Sequence, residues 1–261
     1  KRLIGDDSPY PTRPFSERAG RGIPAEPDGS ENTFLDAALN STRPTRLFPR
    51  LAAGLCHRMI PSGSFTPLEV RMNIVAIMAS YRKGRTIDTL IDHAIAGALE
   101  AAPGATADKI CLIDKHIEYC RNCMTCRDDD PSKPLARCVI QDDMQAIYPM
   151  LDAADAFIIG TPINMGRETA LLKTFIERCC FVFAKPGNFP MKGVPTPRGR
   201  RRKKAVAILS PGTVPPWLRL LCDDATPLIR DFCKTMLNAK LIDSLYAGAI
   251  QKRTVDHYLQ S

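Results

Sequence analysis

An open parallel β-sheet with helices on both faces is the fold this sequence predicts, and three observations carry that prediction. Short apolar runs rich in Ile and Val alternate with stretches whose apolar residues recur at helical spacing. Such alternation implies parallel strands joined by crossover helices. Three of the apolar runs end in polar loops, at 79–86, 161–166 and 210–213. In sheets of this kind ligands bind beyond the carboxyl ends of the strands, so the three loops should converge on one site.

The first unit is the clearest. Residues 72–78 (MNIVAIM) read as a buried strand, and Ile87, Leu90, Ile91, Ala94, Ile95 and Leu99 mark the helix that follows. The turn between them carries the hydroxyls of Ser80 and Thr86 and the charges of Arg82, Lys83 and Arg85. With the N–H groups of a helix N-terminus these would suit a phosphate; the bland alternative is a basic turn that is merely solvated. Neither GxxxxGK[ST] nor GxGxxG occurs, which leaves the type of loop that holds a terminal monophosphate.

Further along, Pro103-Gly104 turns the chain into a second short strand at 109–113, and a cysteine-rich loop follows. Asp142 and Asp143 open a helix running to about residue 153, where carboxylates can cap N–H groups and complement the dipole. Residues 155–160 form a third strand, and Leu171, Leu172, Phe175 and Ile176 lie on the apolar face of the next helix. The Pro-, Gly- and Arg-rich stretch 184–203 reads as loop, 205–209 as a fourth strand, 225–238 as a helix and 241–249 as a fifth strand. Residues 1–68 are broken by prolines, with short helical patterns only at 31–40 and 46–59. They are expected to form an N-terminal extension to a folded domain at 69–261.

Composition narrows the function classes. The 261 residues are 44% hydrophobic and 25% charged, an ordinary globular balance, and 36 Lys and Arg against 28 Asp and Glu favour anionic ligands at long range. No run approaches the roughly 18 apolar residues of a membrane span, and the N-terminus lacks the pattern of a secretory signal, so a soluble, cytoplasmic protein is expected. Ten cysteines, two of them adjacent at 179 and 180, argue for a reducing compartment rather than a disulfide scaffold. The basic run of Arg198, Arg200, Arg201, Arg202, Lys203 and Lys204 could steer phosphates. It has no interleaved aromatics, so nucleic-acid binding is not the favoured reading.

Cys120, Cys123 and Cys126 form C-x2-C-x2-C, with Cys138 following. Three thiolates at this spacing can wrap one corner of a [4Fe–4S] cubane, with a fourth from further along. Four thiolates could also hold zinc, or the thiols could be unligated. Cys56, Cys111, Cys179, Cys180, Cys222 and Cys233 lie in apolar surroundings and read as small core residues. None of His57, His93, His116 and His257 sits in a hydrolytic motif.

Taken in order, a strand, S-x-R-K-G-x-T-x-x-x-L, C-x2-C-x2-C, C-V-x-Q-D-D-M, T-P-x-N and L-L-K-x-F-I-E-R resemble the flavodoxin-like NADPH-dependent FMN reductase family, and its iron–sulfur flavoprotein branch in particular. The resemblance covers about residues 70–250. It implies a flavodoxin-like five-stranded sheet in order 2-1-3-4-5 and an FMN-dependent oxidoreductase, with NAD(P)H as donor and a small-molecule or protein acceptor. By the same resemblance Ser80, Arg82, Arg85 and Thr86 would hold the FMN phosphate. Thr161, Pro162, Ile163, Asn164, Met165 and Gly166 would border the isoalloxazine ring, with Ser210 and Gly212 in the third loop. Cys120, Cys123, Cys126 and Cys138 would ligate a [4Fe–4S] cluster, and the molecule would be a homodimer. Asn164 stands where many family members have an aromatic residue, and the Cys126–Cys138 spacer is longer than the family's cluster pattern. A flavin electron carrier with no substrate of its own is the competing function.

Overall fold

The computed structural model describes residues 72–187 and 194–250. In chain order the elements are β1 (Asn73–Met78), α1 (Thr86–Ala101), β2 (Thr106–Cys111), α2 (Met144–Ala153), β3 (Ala156–Pro162), α3 (Ala170–Phe183), β4 (Ala184–Lys185), β5 (Thr196–Pro197), β6 (Lys203–Ser210), α4 (Arg219–Cys222), α5 (Ala225–Thr235) and β7 (Ala239–Tyr246). Five strands pair in the order β2-β1-β3-β6-β7 and all four pairings are parallel. This is the flavodoxin-like 2-1-3-4-5 order, with the two-residue strands β4 and β5 forming a separate antiparallel pair inside the stretch expected to be loop. The expected N-terminal extension and its helices at 31–40 and 46–59 lie outside the described residues.

β1, β3 and β6 are buried on both faces, which is why they read in sequence as unbroken apolar runs. Side chains alternate across the sheet. Val75, Ile77, Phe157, Ile159, Ala205 and Ala207 meet α2, α3 and α5, while Ile74, Ala76, Met78, Ile158, Val206 and Ile208 meet α1. Phe157, Phe175 and Phe232 are fully buried, and Phe175 meets Phe232 edge to face at 6.1 Å between ring centroids. Burying each such side chain is worth about 1.5–3 kcal/mol. Gly160 is dictated by close packing: a Cβ there would lie 2.4 Å from Ile91 Cδ1, so α1 seats on β3 only because the position is bare.

Element ends shift from the sequence expectation where a strand is half exposed. β2 begins at Thr106 rather than 109, because its polar first half is an edge whose backbone pairs with β1 while its side chains alternate to solvent. β7 starts at Ala239 and carries a bulge opposite Ala205 and Val206, so that Leu241 and Asp243 face them and Ile242 is the extra residue. Among the described residues no helix is long and apolar enough to cross a membrane.

Candidate functional site

The three polar loops leave the carboxyl ends of β1, β3 and β6, which are neighbours in the sheet, and hydrogen bonds tie them together. The Ile163 N–H donates to Ser210 O at 2.9 Å, joining the second loop to the third. The Thr169 hydroxyl donates to Ala79 O at 2.8 Å and accepts from Leu172 N at 3.3 Å, so one side chain caps α3 and anchors it to the first loop. Ile250 N donates to Gly212 O at 2.8 Å, which backs the third loop with the chain beyond β7.

Within the first loop, Ser80 is nearly buried and its hydroxyl accepts from Arg82 N at 3.1 Å and lies 3.2 Å from Arg82 O. Gly84 adopts φ +65°, and its N–H donates to Asp88 Oδ2 at 2.6 Å. Lys109 pairs with Asp88, and Lys83 with Asp114 at 2.7 Å, so the carboxylates beneath the loop are matched. Arg82 is exposed, and Arg85 and Thr86 are half-buried at the start of α1, where the N-cap makes no side-chain capping bond. The structure thus gathers Ser80, Arg82, Arg85 and Thr86 around one helix N-terminus.

The second loop closes as a tight turn in which Asn164 and Arg167 exchange backbone hydrogen bonds of 2.8 and 3.0 Å. Met165 and Gly166 occupy its centre with φ of +52° and +79°, and Met165 is wholly exposed. Asn164 is exposed, and Pro162 and Gly166 are half-buried. Thr161 and Ile163, by contrast, lie inside the wall: Thr161 is fully buried with its hydroxyl on Pro162 O, and Ile163 packs into the core. In the third loop Ser210 is nearly buried and Gly212 has φ +66°.

A separate cavity of about 430 Å³ lies between the cysteine loop, α3 and α5. Cys120, Cys123, Cys126 and Cys138 all line it, and Cys180 on α3, a core residue by its apolar sequence surroundings, is a fifth thiol in the wall. The rest of its wall is mostly apolar, including Met124, Val139, Ile140, Ile176, Phe181, Leu228 and Met236. Asn122 and Met124, on either side of Cys123, have φ of +50° and +63°, so the chain coils tightly around that thiol. Burial, then the neighbouring sulfurs of Cys138, Cys120 and Cys123, push the Cys126 thiol up to about 11. Among the described residues no three His, Cys, Asp or Glu side chains converge as the ligands of one metal ion would.

The long spacer between Cys126 and Cys138 is folded on itself. Asp129 accepts from Asp130 N and Arg137 N, both at 2.8 Å, and from Lys133 Nζ at 2.7 Å. These bonds hold its carboxyl well below the ordinary range and return the chain to the cavity at Cys138. Arg198, from the basic run, is buried beneath this turn and donates to five carbonyls: Cys126, Asp129, Asp130, Phe181 and Ala184. Lys203 donates to Leu151 O and Asp152 O, and Arg201 to Asp155 and the end of α2. Half of that run therefore serves the fold's own carbonyls and carboxylates.

α3 connects the two places. It starts at the Thr169 cap beside the loops, and Lys173, Ile176, Glu177 and Cys180 on one of its faces border the cavity. At 1.5 Å per residue Lys173 lies about 6 Å, and Cys180 about 16 Å, along the helix from that cap. Sequence reasoning does not single out Thr169 or Arg178, and it reads Arg198 only as one member of the basic run. Thr169 had a readable signal, a hydroxyl residue just before an apolar helical run.

Comparison with known proteins agrees with this layout. A family model described as NADPH-dependent FMN reductase matches residues 72–214, more than half of the chain. The iron-sulfur flavoprotein of Methanosarcina thermophila is 35% identical over 121 residues, 46% of this chain and 58% of that protein. An iron-sulfur flavoprotein of Archaeoglobus fulgidus is 34% identical over 109 residues, 41% of this chain and 45% of that protein. The chain spans about half the length of the curated relatives it matches. Among solved structures, azoreductase AzrA superposes with TM-score 0.52 at 16% identity, over 72% of this chain and 93% of that one. Smu.1420 from Streptococcus mutans UA159 gives 0.51 at 16% identity, over 72% and 95%. At these identities the structural likeness speaks for the fold.

Proposed function

This chain belongs to the NADPH-dependent FMN reductase family, and on that premise we propose that it is an FMN-dependent oxidoreductase taking electrons from NAD(P)H and passing them to a small-molecule or protein acceptor. The observation that carries the reading is the hydrogen-bonded union of three loops at the carboxyl ends of adjacent strands. The residues present fit FMN. The first loop gathers two arginines, two hydroxyl residues and a helix N-terminus, with its underlying carboxylates already paired to Lys83 and Lys109. It lacks the glycine pattern that lets backbone approach a pyrophosphate, which favours FMN over a dinucleotide.

In this reading Arg82, Arg85, Thr86 and Ser80 would hold the phosphate, and Pro162, Asn164, Met165 and Gly166 would border the ring, with Gly212 in the third loop. Thr161, Ile163 and Ser210 fix the loops from within. When bound, FMN would supply hydride acceptance and release of electrons singly or in pairs, so no acid–base triad is needed. The Arg82→Ala/Thr86→Ala double variant should lose most of its flavin while its far-ultraviolet dichroism stays that of the wild type. Unchanged flavin content would overturn the assignment.

For the cavity we read a [4Fe–4S] cluster held by Cys120, Cys123, Cys126 and Cys138. Four thiols at C-x2-C-x2-C spacing and beyond, round one largely apolar cavity, fit a polynuclear group. The names of the curated relatives point the same way. Such a cluster would supply one-electron transfer. Iron and acid-labile sulfide on anaerobically purified wild type and Cys123→Ser test it, and iron near zero in both would leave a plain flavoprotein.

We also read residues 69–261 as one flavin-binding domain with 1–68 as an extension, and the molecule as a cytoplasmic homodimer. Met165, Trp217, Leu220 and Leu221 are strongly exposed. Asp224 N donates to Gly166 O at 2.9 Å, which puts the second loop beside the segment carrying the last three. A second copy seated on that apolar rim would shield the ring from water. Light scattering giving a monomer with tightly held FMN would contradict this.

A further inference from the structure

One group in the cavity wall is explained neither by the flavin loops nor by the thiols. Arg178 belongs to α3, is 3% exposed, and lines the cavity. We propose that Arg178 is a positioning residue for a cluster at the four cysteines, donating an N–H from Nη2 to Cys138 Sγ and so favouring the cluster's reduced state. The proposal rests on the cluster reading above.

The geometry is fixed from three sides. Nη2 lies 3.6 Å from Cys138 Sγ and 3.1 Å from Asp142 Oδ1, while Nη1 donates to Asp142 Oδ2 and, at 2.8 Å, to Glu118 O. Asp142 is held in turn by Glu118 N and Met144 N, at 2.8 and 3.1 Å, and both partners of the ion pair have buried side chains. A planar guanidinium bound on two edges cannot turn away from the sulfur. The same fork reaches Glu118, two residues before Cys120, so it ties the first and last cysteines of the set to one rigid group. Nε is buried without a hydrogen-bond partner among the described residues, a second donor left over in the wall.

A buried ion pair is weak evidence for stability, since an apolar residue of similar volume often packs as well. What an apolar residue cannot do is donate to sulfur. Because Asp142 balances the guanidinium charge, Cys138 receives mainly the N–H dipole rather than the field of a bare cation. A ligand sulfur carries more negative charge after one-electron reduction, so the bond strengthens on reduction and raises the potential.

The test is a dithionite redox titration of the protein as isolated, with flavin and cluster present, followed by electron paramagnetic resonance. Arg178→Lys keeps the charge but lacks the fork. Its iron and sulfide should match the wild type, and its reduced-to-oxidised ratio at a fixed potential should fall about tenfold, roughly 59 mV for one electron. Asp142→Asn keeps the fork and removes the balancing carboxylate, so its ratio should rise. A purely structural pair would destabilise both variants without moving the potentials in opposite senses. Should Arg178→Lys fail to fold, labelling only the guanidinium nitrogens of arginine with 15N, in an Arg121→Lys/Arg127→Lys/Arg137→Lys protein, serves instead, because it leaves the positions next to the four cysteines unlabelled. Pulsed resonance of the reduced cluster should then show a coupled 15N, and absence of that coupling overturns the proposal. A wild type without iron overturns the cluster reading and this proposal with it. Full iron and an unchanged potential in Arg178→Lys overturn this proposal alone.

Discussion

Thr169→Val is the sharpest probe of how the loops are held together. The substitution keeps the β-branch and nearly the volume, and removes only a hydroxyl that is buried, caps α3 through Leu172 N and donates to Ala79 O. Losing the cap costs about 1 kcal/mol. Leaving the Ala79 carbonyl buried without that donor costs about 1–3 kcal/mol more. The sum, about 2–4 kcal/mol, lowers the melting temperature of a domain this size by roughly 4–16 °C. Urea unfolding of the flavin-free protein reads the stability, and FMN titration reads the site, which should bind more weakly because its first two loops are no longer tied. Thr213→Val, on the exposed part of the third loop, is the control and should stay within about 0.5 kcal/mol of wild type. A Thr169→Val protein within that same margin, with unchanged FMN affinity, would refute the reasoning.

Three further outcomes follow from named contacts. Arg198→Met strips donors from five carbonyls, so the spacer between Cys126 and Cys138 should open and trypsin should cut after Arg127 or Arg137 at least tenfold faster; equal cleavage rates would contradict the clamp. Burial pushes the Lys203 ammonium down to about 8, below its unfolded value. The unfolded chain then binds more protons between about pH 8 and 10.5, so stability relative to Lys203→Met should rise with pH across that window and fall back as pH drops through 8. A flat difference would show that the amine is not buried in its charged form. Gly160→Ala should cost about 1–3 kcal/mol by pushing Ile91 off β3, and a neutral result would mean α1 sits looser than the contact implies.

Where structure is built from neighbours in sequence, the chain announces it. β1, its loop and α1 are contiguous, and the apolar run, the hydroxyls and the helical periodicity all lie within thirty residues. The strand order follows because crossover connections leave few alternatives. The first half of β2 was missed because an edge strand needs only backbone pairing, and Thr106, Ala107 and Asp108 carry no apolar signal. Asp142 accepts from Met144 N at the start of α2 as expected, whereas the Asp143 carboxylate accepts from His116 N and makes no capping bond to the helix, and the partner that buries Asp142 lies on another helix. Arg178 could have been read, since it falls on the same helical face as Phe175, Cys179 and Val182, where a charged residue demands a partner. Arg198 could not. Its acceptors are backbone carbonyls up to 72 residues away, and carbonyls have no letter in a sequence.

Anaerobic mixing of the purified protein with NADPH shows whether FMN sits at the three joined loops and is reduced by a nicotinamide donor. The bound flavin's visible absorbance should bleach within the mixing experiment, and the Arg82→Ala/Thr86→Ala protein, having lost its flavin, should show no such change. Flavin that stays oxidised under both NADPH and NADH, yet bleaches with dithionite, would contradict this and leave an electron carrier that takes its electrons from another protein.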